Sequence, residues 1–289
     1  MKALVLGANG CLGKALTELL PTQDGGGFEV EGRTRAECDV TDPSATARVI
    51  SEAEADVVFN AAAYTNVDLA EDEGDIAFQA NAIGPETLAR VTANLGVKLI
   101  HYSTDFVFDG ERERPYDEFD APAPQGVYAR SKLAGERLAL AAARRLFVVR
   151  VGWLYGHGGR NFPSTIMQRL AKGEVVRADR DRVGAPTWVR DVASVSGALA
   201  HTEYFGLYHC TSTGETTWAD YARFVAAELG LPDDRVEALP SAALPMMKAP
   251  RPRRAVLDNR LLRLRGLDTM PDWKAAARAF IRAHRPVIS

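Results

Sequence analysis

A doubly wound α/β fold with a smaller second lobe is what this sequence predicts, on three observations. Short apolar runs alternate with helix-length amphipathic ones through the first half of the chain, a glycine turn follows the first apolar run directly, and the pattern breaks near residue 152. Strands separated by helices need crossover connections, which are right-handed and leave a parallel sheet covered on both faces. The 289 residues, 46% of them hydrophobic, can bury the core that such a fold requires.

In chain order the predicted strands are "KALVLGA", "FEVEGR", "DVVFNAAA", "VKLIHYS" and "LFVVRVG", all read as buried. After the second, "DPSATARVISEAEA" opens a helix with Asp42 as its N-cap and Pro43 in the first helical position. After the third, "NAIGPETLARVTANLG" ends on a glycine placed to cap it. "PTQDGGGFEV" reads as a surface turn. These elements predict one domain over residues 1–151. Beyond it, "GWLYGHGGRNFPST" and "LPSAALPMMKAPRPRR" are irregular and proline-rich, whereas "STIMQRLAKG", "TWADYARFVAAELG" and "DWKAAARAFIRAH" repeat apolar residues at three and four spacing. Residues 152–289 are therefore expected to form mainly a second lobe, with "RDVASVSGALA", near 189–201, returning to the first sheet.

Composition removes several function classes. A net charge of -3 gives no electrostatic case for nucleic acid or for an anionic membrane surface. The three cysteines, Cys11, Cys38 and Cys210, form no CxxC and are odd in number, which fits a reducing compartment better than a disulfide framework. No apolar run approaches the roughly 20 residues of a membrane span. "MKALVLGANG" has a lysine at its start but too short an apolar run for a signal peptide. The expected location is cytoplasmic.

"LVLGANGCLGKAL" spaces Gly7, Gly10 and Gly13 as GxxGxxG between a strand and a helix. Glycines there let the backbone turn tightly and approach a pyrophosphate, while the helix that follows, from Cys11 and Leu12 onward, aims free N–H groups at the negative charge. Such a turn alone can be structural; at the head of an alternating βα pattern it predicts a Rossmann-type dinucleotide site. The end of the second strand then decides cofactor preference. Arg33 and Arg35 favour the 2′-phosphate of NADPH and Glu31 favours NADH, with plain solvated charges as the alternative. Asp39 and Val40 fall where an adenine edge would lie, and Ala61, Ala62 and Ala63 offer small residues beside the cofactor.

Tyr128 and Lys132 in "VYARSKLAGERL" are four apart at the head of a helical segment, which stacks them on one face. A tyrosine with a reference pKa of about 10 is a poor acid–base group near neutrality, and an adjacent ammonium favours its phenolate. A lone YxxxK is more often a surface helix face. What raises it is "YSTD", whose Thr104 should lie at the C-terminal edge of a parallel sheet, where such sheets hold their ligands, although Ser103, Thr104 and Asp105 also suit a turn.

With these residues the chain resembles the extended short-chain dehydrogenases, and within them the dTDP-4-dehydrorhamnose reductases. "GANGCLG", "VVFNAAAYTNVDLAE", "HYSTDFVFDG", "VYARSKLAGE", "RVGWLYG", "DRVGAPTW", "GLYHCTSTGETTWADYA" and "APRPRRAVLDN" look like that family's blocks, in its order. The resemblance implies hydride transfer from NADPH, with NADH as the alternative, to the C4 ketone of a dTDP-4-dehydro-6-deoxy sugar, by a monomer or homodimer. It implies a catalytic triad of Thr104, Tyr128 and Lys132. Tyr128 would give the alkoxide its proton, Thr104 would hydrogen-bond the same oxygen, and Lys132 would orient the cofactor ribose. Asp105, Phe106, Trp153 and Arg251 match substrate-side positions, Trp153 reading equally as a core aromatic. Ala15 and Arg190 stand where some members carry acidic residues that bridge a dimer through a metal, so no metal is expected, and Arg182 replaces a frequent glutamine. Related dehydratases place a glutamate after the Thr-Asp pair; Phe106 stands there in this chain, which removes the base that elimination needs. A reductase or epimerase of another dTDP-4-keto-6-deoxy sugar, and a non-catalytic regulatory subunit of the same fold, are the alternatives.

Overall fold

The structure, a computed structural model, describes residues 1–22, 27–157, 161–244 and 247–284. The strands β1 (Lys2–Leu6), β2 (Glu29–Arg33), β3 (Val57–Asn60), β4 (Lys98–Thr104) and β5 (Leu146–Val151) alternate with the helices α1 (Cys11–Leu19), α2 (Pro43–Glu52), α3 (Gly74–Phe78), α4 (Gly84–Leu95) and α5 (Val127–Ala142). α2 starts as its sequence dictates: the Asp42 side chain accepts from the amides of Ser44 and Ala45, with Pro43 following. Gly96, at φ 71°, closes α4 in the left-handed conformation that glycine tolerates. The expected surface turn over 21–30 falls in part on residues 23–26, outside the described residues.

The second half adds β6 (Leu154–Tyr155), α6 (Phe162–Ala171), β7 (Val176–Asp179), β8 (Val183–Gly184), β9 (Thr187–Trp188), α7 (Val189–Ala200), β10 (Gly206–His209), β11 (Thr216–Thr217), α8 (Trp218–Leu229), β12 (Val236–Leu239), α9 (Arg260–Leu264) and α10 (Trp273–Ala283). Six strands form one parallel sheet in the order β10-β5-β4-β3-β1-β2. Two corrections follow. β2, expected to be buried, is the sheet's edge and stays half exposed, because among the described residues no strand pairs beyond it. The sixth strand, "GLYH" at 206–209, was missed, since it lies beyond α7 in sequence and completes the sheet beside β5.

Alternation along each strand feeds two cores. Val5, Phe59, Ile100 and Phe147 face α1 and α7 through Leu16 and Val192, whereas Leu4, Val58, Leu99 and Val148 face α2 and α4 through Ile50 and Leu88. The segment expected to return to the sheet is α7, whose Val192, Ala193 and Leu199 are fully buried in the first of these cores. No described helix is long and apolar enough to cross a membrane.

Candidate active site

Parallel strands bring all their C-terminal ends to one edge, and there a cleft of about 1680 Å³ runs from the glycine turn to Leu244, Met247, Arg251 and Pro252. Its floor starts at Gly7, which has φ 77° and sits so close to the next strand's exit that a Cβ would lie 2.7 Å from the Ala62 amide nitrogen. Gly10 caps α1, and a Cβ on Gly13 would come within 2.2 Å of the Gly7 carbonyl oxygen. The three glycines thus have distinct uses: a left-handed turn, a helix start, and close packing of helix on turn. Gly7, Gly10, Cys11 and Leu12 line the cleft, as do Asp39, Val40, Ala61, Ala62 and Ala63; Gly13 lies behind them. This is a cradle with the N-terminus of α1 aimed into it, the arrangement that holds a dinucleotide pyrophosphate.

The two arginines separate. Arg33 extends from the exposed edge strand and pairs with Glu31, and its carbonyl accepts from the amides of Gly7 and Ala8 at 2.9 and 3.0 Å. Arg33 is not part of the cleft wall. Arg35 is, with its Nε 3.7 Å from Asp39.

Asn60, missed in the sequence reading, ends β3 and fixes the alanine wall. Its Oδ1 accepts from the Ala62 amide at 3.2 Å, while its amide nitrogen meets His101 Nδ1 at 3.1 Å. His101 is fully buried, and desolvation, followed by the charge of Lys132, holds its pKa well below the ordinary histidine value. Asn81 is a second omission. It lies in a π-helical turn, Gln79–Ile83, and bonds Tyr64 through both its oxygen and its nitrogen, and Ser131 through its nitrogen at 3.1 Å. That turn is also where Gly135 of α5 packs, a Cβ there falling 2.0 Å from the Asn81 carbonyl. The register of α5, and with it of Tyr128 and Lys132, is thereby fixed against the loop after β3.

Tyr128 and Lys132 sit on the first turns of α5, where the Val127 amide donates to Glu71 Oε1 at 2.8 Å. Lys132 is buried and donates to the Tyr102 carbonyl at 2.6 Å; desolvation brings its pKa down to about 8, with Glu136 opposing. Glu136 itself is held by Arg150 in a buried pair at 2.9 and 2.7 Å. Burial pushes Tyr128 up to about 12, against a hydrogen bond with Thr104 that pulls it down. A tyrosine with a raised pKa holds its proton, the state in which it can donate to an alkoxide. Thr104 ends β4, Phe106 lies edge-on to Tyr128 with ring centroids 5.9 Å apart, and Asp105, which follows Thr104 in sequence, is buried.

The far side of the cleft is aromatic and charged. Trp153 adopts φ 46°, a conformation unusual for a bulky residue, and stacks on Trp218 at 3.8 Å, while Gly184 leaves room for its indole. Phe162 packs edge-on against Trp218 at 4.5 Å. Trp218 was not singled out from the sequence, although its place at the head of a helix in "TTWADYA" was visible. Arg251 lines the cleft, but its guanidinium bonds both carboxylate oxygens of Asp68 at 2.9 and 2.8 Å, and this pairing lowers Asp68 to about 2. Arg182 pairs with Asp179 at 3.2 Å. Ala15 is buried beneath α7, and among the described residues no cluster of three or more His, Cys, Asp or Glu is placed to hold a metal.

The chain is similar to known proteins along nearly its whole length. The family model for the RmlD substrate binding domain matches residues 1–285. A dTDP-4-dehydrorhamnose reductase of Mycobacterium tuberculosis is 41% identical over 95% of this chain and 90% of its own length. One from Streptomyces griseus is 39% identical over 98% and 96%. Among solved structures, a Bacillus anthracis dTDP-4-dehydrorhamnose reductase in complex with NADP superposes with a TM-score of 0.92 at 35% identity, covering 98% of this chain and 99% of that one. A Thermus thermophilus UDP-glucose 4-epimerase, at 22% identity and a TM-score of 0.84 over the whole of both chains, shares the fold.

Proposed function

Because the chain belongs to the RmlD substrate-binding-domain family, we propose that it reduces the C4 ketone of dTDP-4-dehydro-β-L-rhamnose to dTDP-L-rhamnose with NADPH. The observation that carries this reading is the convergence of Thr104, Tyr128 and Lys132 on one cleft with the glycine cradle. NADPH, when bound, supplies the hydride, and the protein supplies position and charge. Gly7, Gly10 and the N-terminus of α1 would hold its pyrophosphate, the alanine run 61–63 would flank it, and Arg35 would meet the 2′-phosphate.

In this mechanism Tyr128 gives its phenolic proton to the C4 oxygen as negative charge develops there, and Thr104 stabilises the same oxygen through a hydrogen bond. Lys132 holds a positive charge beneath Tyr128, which eases the transient phenolate. The indole of Trp153, backed by Trp218, forms an apolar wall for the sugar, and Arg251 supplies a guanidinium for the diphosphate. Phe106 offers no base at the position where a dehydratase carries a glutamate, which favours carbonyl reduction over elimination. Residues 1–151, with the return near 189–201 that the strand at 206–209 extends, would form the cofactor lobe, and 152–289 mainly the nucleotide-sugar lobe.

The test is loss of reduced-nicotinamide absorbance when dTDP-4-dehydrorhamnose is added with NADPH. Stoichiometric oxidation is expected. No net oxidation with epimerised product would mean an epimerase, and no turnover at all would mean a binding subunit.

A further inference from the structure

We propose that Asp105 works as a protonated acid that turns the hydroxyl of Thr104 toward the reacting carbonyl. This rests on the reduction proposed above and makes Asp105 a positioning residue. A threonine hydroxyl has one hydrogen to donate. Thr104 Oγ1 lies 3.0 Å from Asp105 Oδ1 and already accepts from the Phe106 amide at 3.2 Å. If Asp105 is ionised it can only accept, so the hydrogen of Thr104 must point at it and away from the substrate. If Asp105 is protonated, it donates to Thr104, and the threonine hydrogen is released toward the side of the cleft that carries Tyr128, its other hydrogen-bond partner, and the C4 oxygen.

The surroundings of Asp105 favour the acid form. The residue is 2% exposed, and its Oδ2 is buried with no hydrogen-bond partner among the described residues. An ionised carboxylate with an unpaired buried oxygen is costly, whereas a protonated one needs fewer partners. Its other wall is backbone: a Cβ on Gly152 would lie 2.9 Å from Asp105 Oδ2, so that side brings no cation. The ionisable groups across the cleft from it on α5 are Tyr128, whose own pKa Asp105 helps to raise, and Lys132, which is committed to the Tyr102 carbonyl. Burial lifts Asp105 to about 7, against the hydrogen bond from Thr104. No proton leaves Asp105 during turnover, since the proton on the product oxygen comes from Tyr128.

The test is the pH profile of kcat at saturating NADPH and dTDP-4-dehydrorhamnose. Wild-type kcat should fall as pH rises through about 7 and Asp105 ionises. Asp105→Ala should lower kcat at acid pH by about 10- to 100-fold, less than the roughly 100- to 1000-fold for outright loss of an oxyanion donor, because Thr104 is still present. Asp105→Asn, whose amide can donate to Thr104 at any pH, should recover part of that loss and show no fall through neutrality. Thr104→Val, with no hydroxyl to turn, should be flat from pH 5 to about 7, the window that lies below the titration of Lys132 near 8 and in which these profiles are compared. A fall retained in Asp105→Asn or in Thr104→Val, or equal losses in Asp105→Asn and Asp105→Ala, would overturn the proposal. An infrared band of a protonated carboxyl provides a reading independent of turnover. It should appear in the wild-type minus Asp105→Asn difference spectrum at pH 6, and the same difference should persist in an Asp191→Asn background, which removes a half-buried aspartate also raised toward neutrality. If the wild type oxidises no NADPH, the proposed reduction fails while the band still decides whether Asp105 is an acid; a missing band overturns the inference whatever the substrate.

Discussion

At the scale of single residues, the same side chain answers to two demands, and the pKa directions show which one dominates. Tyr128 is half-buried at the cleft and desolvation has raised its pKa to about 12, so it is a reservoir of a proton. Tyr128→Phe is expected to lower kcat by about two to four orders of magnitude, the range of general-acid effects, with NADPH affinity measured by fluorescence little changed. Near-normal turnover would remove Tyr128 from the chemistry. Cofactor choice divides two neighbours in the same way. Arg33 is tied to Glu31 at the sheet edge, whereas Arg35 reaches the cleft. Arg35→Ala should therefore weaken NADPH more than NADH, and Arg33→Ala should affect both little; a selective NADPH loss in Arg33→Ala alone would reverse the assignment.

At the scale of elements, the contact of α1 with the turn before it is set by the absence of a side chain at Gly13. Gly13→Ala would drive a methyl group onto the Gly7 carbonyl, a backbone atom that cannot rotate away. The helix must then shift, at about 1–3 kcal/mol for overpacking, and the cradle opens. Thermal unfolding and NADPH titration should both register the change, and an alanine variant with wild-type affinity would show that the helix start is pliable. This turn was legible in the sequence because everything it needs lies within seven consecutive residues. The YxxxK helix and the end of β4 were legible for the same reason. β10 was not: "GLYH" is four residues long, follows a helix, and becomes a sheet strand only because β5 presents an open edge. The burial expected for β2 failed on the complementary ground that local apolar pattern does not reveal which strand is last. Asn81 was hidden because its use depends on a π-helical turn and on Ser131, fifty residues away.

At the scale of the whole molecule, the cleft is bridged by a contact that no local pattern could disclose, between residues 183 positions apart. Asp68 accepts from both terminal nitrogens of Arg251 and from the Ala249 amide, Lys248 pairs with Asp72, and Glu71 between them holds the start of α5. One short segment therefore connects the 248–251 strap to the helix that carries Tyr128. Asp68 is 42% exposed at its side chain, so its pairing with Arg251 is screened, and a double-mutant cycle should return a coupling of about 1 kcal/mol. The pH sign follows from the lowered carboxyl. Its folded pKa of about 2 lies below the unfolded value of about 3.9, so the coupling is present in full above pH 4 and disappears as pH falls toward 2. The kinetic consequence separates two uses of Arg251. If its guanidinium meets the substrate diphosphate, Arg251→Ala should raise KM for the nucleotide sugar by about 10- to 100-fold, as for a lost charged hydrogen bond. Asp68→Ala, which leaves the same guanidinium only its bond to the Ala249 carbonyl, should not raise KM by a similar factor even though it weakens the strap. Equal increases in KM for both variants would instead mean that Arg251 acts on the substrate only by keeping the cleft closed.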